Sequence, residues 1–118
     1  MTKDGIDKKS FFSQTVSVLM KESGFEREIC EEILTVFCNQ ADKHLADIKD
    51  FMMVNNFQQI AKTLHTFKGG AGTARVKEMA EYAIEAEEAA INNDMVSLEK
   101  SLEILDELLG VLKAGKKY

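Results

Sequence analysis

Apolar residues recur along this chain at steps of three and four, in five stretches separated by short polar breaks. From about Asp7 to Lys21, Phe11, Thr15, Val18 and Leu19 share one side, with Phe12 at its edge. Ser23-Gly24 marks a stop, since glycine is common just past a helix end. The next stretch, near Glu26 to Val54, repeats Cys30, Leu34, Phe37, Ala41, Leu45, Ile48 and Met52, which predicts one long helix. Asn55-Asn56 breaks that pattern and can cap a third helix. There Phe57, Ile60, Leu64, Phe67 and Ala71 fall within about 60° of one line, the expected buried face. A short turn over Gly72 to Arg75 leads to a fourth helix, from near Val76 to around Asn92. Its Glu78, Glu81, Glu85 and Glu88 form a solvated face. Asn93-Asp94 is the last break, with Asp94 the expected N-cap. Met95, Leu98, Leu102, Leu105, Leu109 and Leu112 then make a heptad-like seam. Lys113, Lys116 and Lys117 follow in the final turns, where cations favour the carbonyl end.

Four amphipathic helices on short loops predict an all-α fold, an up-down-up-down four-helix bundle with an additional short N-terminal helix across one end. Composition agrees: proline is absent, and alanine, leucine, glutamate and lysine dominate. A length of 118 residues suits a single domain spanning 1–118, and a monomer is expected. The net charge of −5 argues against a nucleic-acid partner, which needs a basic face. No run of eighteen apolar residues exists, so no membrane partner is expected. Met1 to Gly5 lacks the apolar core of a signal peptide, which points to a cytoplasmic location.

Most familiar chemistries find no residues here. Cys30 and Cys38 would stand ~12 Å apart along one helix, too far to bridge within the chain, and Cys30 lies on the apolar stripe. His44 lies beside that stripe with no co-ligand and reads as a rim residue, so no metal site is expected. There is no Walker lysine after a Gly-rich loop, hence no nucleotide site of its own. No Ser-His-Asp or Cys-His set can be assembled.

The third helix is the exception. Its run Ala61-Lys-Thr-Leu-His-Thr-Phe-Lys-Gly-Gly-Ala-Gly-Thr73 joins a histidine, a lysine three residues on and three glycines. His65 falls about 100° from the buried line, on a shoulder shared with Ala61, Lys68, Gly69 and Gly72. Each glycine costs a helix about 1 kcal/mol relative to alanine. Gly69 and Gly72 lie on the histidine's side, where missing side chains let a partner's backbone approach. Spacing alone equally allows glycines that merely fray the helix before the turn.

His65, Phe67, Lys68, Gly69, Gly70 and Ala71 resemble the signature of histidine-containing phosphotransfer (HPt) domains, His-x-apolar-Lys-Gly-small-small. The run Lys68 to Thr73 is similar to the phospho-accepting first domain of chemotaxis histidine kinases. Where the family usually has a second glycine ten residues after the histidine, this chain has Arg75. The resemblance implies a phosphoryl carrier, with no enzyme activity of its own, in a two-component phosphorelay. His65 would accept the group, Lys68 would stabilise its charge, and Ala61, Gly69 and Gly72 would form the docking strip. The expected partners are a response-regulator receiver domain and a histidine kinase. No cofactor of its own is implied, since Mg2+ would sit in the receiver. Two alternatives stand beside this reading: the phospho-accepting domain of a chemotaxis-type kinase, and a helical adaptor without phosphoryl chemistry.

One more residue joins the set. In the fourth helix Val76, Ala83, Ile84, Glu87 and Ile91 fall within about 60° of a line through Ala80. Glu87 is thus a carboxylate on an apolar stripe, where charge is costly unless paired. With the turn near Ala74 and Arg75, it comes within reach of His65, whose inner ring nitrogen it can hold. A rim lysine is the competing partner for Glu87.

Overall fold

The computed structural model describes residues 8–115, which form five α-helices: α1 Lys8–Ser23, α2 Arg27–Met53, α3 Phe57–Thr73, α4 Lys77–Ile91 and α5 Met95–Gly115. The expected start at Asp7, and Lys116 and Lys117, lie outside the described residues. The other boundaries fall within two residues of the apolar and polar breaks.

The three turns from α2 to α5 are built alike, because each has only three residues in which to end one helix and begin another. Each puts its middle residue in the left-handed region: Asn55 at φ 54°, Arg75 at φ 64° and Asn93 at φ 53°. The next N–H bonds back to the carbonyl five residues earlier: Asn56 to Phe51 at 3.0 Å, Val76 to Ala71 at 2.9 Å, Asp94 to Ala89 at 2.8 Å. These are Schellman closures, which satisfy carbonyls that a helix end otherwise leaves open. Asn56 and Asp94 then accept the N–H groups of Gln59 and Ser97, at 3.2 and 3.1 Å, as N-caps. The bond from Ser97 holds the exposed Asp94 carboxyl below the ordinary range.

Arginine tolerates the left-handed region less well than asparagine or glycine. Arg75 compensates with its side chain. One guanidinium nitrogen donates to the carbonyls of Gly72 and Thr73, both at 3.1 Å, and Nε pairs with Glu22 near the end of α1. The turn therefore keeps the conformation that glycine would take there.

Consecutive helices from α2 to α5 pack side by side, and α5 also meets α2. The last pair is cross-linked by Lys49–Asp106 at 3.0 Å and Lys113–Asp42 at 2.8 Å, a descending register that makes α2 and α5 antiparallel. Lys113 thus reaches across to α2. α1 packs mainly on α5 and secondarily on α2. The core runs through all five helices and includes Cys30 and Cys38 as small buried thiols.

Two expected faces hold only in part: Phe11, Thr15 and Leu19, and on the α4 side Val76 and Ala83, are buried as expected, but others are not. On α1, Val18 is exposed while Phe12 and Val16 are buried, because that helix is covered from the α5 side. On α4, Ile84 and Ile91 are exposed; Met79, Ala83, Ala86, Ala89 and Ala90 are buried instead. Alanines allow α4 its close, extended pairing with α3, a fit that branched side chains would prevent. Phe57, Met52 and Met95 lie half-buried at the margins of their stripes.

Candidate functional site

The buried line of α3 holds as expected, with Ile60, Leu64, Phe67 and Ala71 in the core. That fixes the rotation of the helix and leaves His65 facing outward, its side chain 69 % exposed. α4 runs alongside, and Glu87 comes from it to meet two side chains of α3. Its Oε2 stands 3.2 Å from His65 Nδ1, and its Oε1 accepts from Lys68 Nζ at 2.9 Å. Both partners considered for Glu87 are therefore engaged at once. Side chains lean toward the N-terminus of a helix, so Lys68 leans back toward the turn that carries His65. One carboxylate can then take both.

Glu87 is 17 % exposed, Lys68 32 %. Partial burial pushes the Glu87 carboxyl up, but the hydrogen bond and charge of Lys68, and then those of His65, outweigh it. The group ends below the ordinary carboxylate range and is ionised at neutral pH. An ionised carboxylate has no proton to donate. The proton of this contact therefore sits on Nδ1, which leaves the Nε2 of the neutral ring with a free lone pair directed away from Glu87. A nitrogen so placed is able to act as a nucleophile.

Of the docking strip, Gly69 and Gly72 are exposed and Ala61 is half-buried. A methyl group at Gly69 or Gly72 would meet nothing within 4 Å, so both positions open to solvent. On the side away from α4, two adjoining hollows of about 230 and 190 Å³ lie between α2 and α3. Ile33, Val36, Phe37 and Gln40 line the larger one opposite Gly69 and Gly70. Sequence reasoning missed this α2 wall. Its signal was present in Ile33 and Val36, three apart and just off the core stripe. His44 is half-buried, its ring centroid 6.4 Å from that of Phe67. Among the described residues, no three His, Cys, Asp or Glu side chains are grouped to hold a metal ion. Nor is any described helix long and apolar enough to cross a membrane.

No curated protein and no solved structure matches the sequence. A family model does: the Hpt domain, over residues 32–115. The match begins within α2, covers α3 and α4 entire and ends with α5, leaving only α1 and the first turns of α2 outside. An exposed histidine on the glycine-bearing α3, held by a carboxylate from α4, lies inside that matched segment, and the chain belongs to the Hpt domain family.

Proposed function

We propose that His65 is the phosphoryl-accepting residue of this chain, and that it exchanges the group with the aspartate of a response-regulator receiver domain. Hpt domains are phosphocarrier modules of phosphorelays, which gives the class of reaction. The observation that carries the assignment is the Nδ1–Glu87 contact at 3.2 Å on an otherwise exposed ring. In the forward step the Nε2 lone pair attacks phosphorus as the bond to the aspartyl oxygen breaks. The aspartate leaves as a carboxylate. The ring keeps its Nδ1 proton and becomes cationic, and Glu87 faces that new charge. No base is required, and the reverse step follows the same path.

Lys68 supplies positive charge one turn beyond the ring. In the free protein it is held by Glu87, and an incoming phosphoryl oxygen would compete for it. Gly69 and Gly72 clear the approach, with Ala61 beside them. Mg2+ belongs to the receiver, and the chain works as a carrier without a nucleotide site. The bundle is read as up-down-up-down over one domain, monomeric and cytoplasmic.

The run Lys68-Gly69-Gly70-Ala71-Gly72-Thr73 supports a second reading, in which an ATP-binding kinase domain is the direct donor. One experiment separates these. The purified chain is incubated with a phosphorylated receiver and Mg2+, or with a kinase core and ATP, and acid-labile phosphate on His65 is measured by mass spectrometry. Labelling from the receiver supports the first reading, and labelling from the kinase alone supports the second. No label in either arm leaves the adaptor.

A further inference from the structure

We infer that Lys62 is a second phosphoryl-binding cation of this site, placed where the transferred group must sit. The inference rests on His65 being the acceptor. With Nδ1 turned to Glu87, Nε2 and any group it carries lie on the opposite side of the ring. Lys68 stands on the Glu87 side, its charge already compensated at 2.9 Å. Lys62 is three residues before His65, about 60° round the helix toward the other shoulder. Its carbonyl accepts from Thr66 Oγ1 at 3.3 Å, while its exposed side chain makes no hydrogen bond or ion pair among the described residues.

Local charge strengthens the case. α3 has no aspartate or glutamate, so Lys62 has no carboxylate on its own helix to neutralise it. The imidazole leans toward the turn that carries Ala61 and Lys62, and three residues apart is a spacing at which helical side chains are neighbours. A Cβ at Gly69, on the same shoulder, would meet nothing within 4 Å, so this side of the helix is open to an incoming group. A net charge of −5 repels an incoming anion, and an unpaired Lys62 side chain offsets that repulsion on this shoulder.

The test avoids a protein partner, so that docking does not enter. Phosphoramidate is the donor: Nε2 attacks phosphorus as the P–N bond breaks, and ammonia leaves with the protons on its nitrogen. Rates of His65 labelling are followed by 31P NMR in wild type, Lys62→Ala, Lys62→Arg and Lys68→Ala at low and high salt. Lys62→Ala should be about three- to fivefold slower at low salt, the size expected of one exposed charge pair. Its rate should also lose most of the salt dependence seen in wild type. Lys62→Arg should restore both, and Lys68→Ala, which removes a cation already paired with Glu87, should keep more of the wild-type salt dependence than Lys62→Ala does. A Lys62→Ala protein with wild-type rate and salt dependence overturns the inference. Failure of wild type to label on His65 would instead remove the acceptor assignment, and this inference with it.

Discussion

The two flanks of α3 are built on opposite plans. Toward α4 the pairing is close, and the residues that α4 buries are mostly small: Ala83, Ala86, Ala89 and Ala90 beside Met79. Toward α2 the helices are held apart by aromatic rings, Phe37 meeting Phe67 edge-on at 5.9 Å, and hollows remain beside Gly69 and Gly70. Small residues on the first flank bring Glu87 close enough to hold His65 and Lys68. Large ones on the second leave a recess at the surface. One flank fixes the chemistry and the other leaves access, and the histidine stands on the ridge between them.

The largest effect separates the ridge from both flanks. His65→Gln should abolish acid-labile phosphate on the chain while leaving helical circular dichroism and the thermal midpoint nearly unchanged, since the side chain is mostly exposed. Acid-labile phosphate retained in that variant would move the acceptor to His44. On the open flank, Gly69→Gln should slow transfer from a receiver about tenfold or more by obstructing approach. The same change should leave the bundle as stable or slightly more so, because glycine is the poorer helix former. Stopped-flow transfer at the wild-type rate would show that this flank is not the entry.

Stability measurements sharpen the contrast. Ala83→Leu, in the tight flank, should cost about 1–3 kcal/mol in urea unfolding through overpacking. Gly70→Ala, on the open flank, adds a methyl whose nearest neighbour is Phe37 Cδ1 at 3.9 Å, an ordinary contact. It should stabilise by up to about 1 kcal/mol. Equal destabilisation in both would mean that the flanks do not differ as described.

The smallest effect probes Glu87. Its folded carboxyl titrates below the ordinary range, so ionisation favours the folded state. That contribution is complete well above the unfolded value of about 4.3 and is lost as pH falls through the lower folded value. Glu87→Gln should therefore be less stable than wild type by under about 1 kcal/mol at neutral pH, with the gap closing under acid. In the variant, 15N shifts of the His65 ring should show the Nε2–H tautomer growing in. An unchanged tautomer would mean that Glu87 does not orient the ring.

Much of this was legible before any coordinates. The helix boundaries came from stripes interrupted at Gly24, Asn55-Asn56 and Asn93-Asp94, where backbone preference and polarity agree. His65 and Glu87 could be placed together because a short turn fixes the register of two helices, and side-chain spacing does the rest. The departures on α1 and α4 have one reason. A helical wheel weights bulk, so Val18, Ile84 and Ile91 drew the line toward themselves. Burial follows what the neighbouring helix covers, and beside a tightly packed partner that favours alanine. The double engagement of Glu87 was out of reach for a related reason. Spacing can bring three side chains to one place, but it cannot say how one carboxylate divides its two oxygens.

If His65 carries the phosphoryl group as proposed, its exposure has a consequence in time. A group stored on a ring this open is in contact with water throughout, and nothing encloses it. Its lifetime then rests on whether a neighbour can activate a water molecule against it. Glu87 is the carboxylate that meets the ring, and each of its oxygens is already engaged, one by Nδ1 and one by Lys68. It is poorly placed to act as a base. On this reading the store is slow to leak because the carboxylate that touches the ring is occupied, and fast transfer waits for the groups that a partner brings.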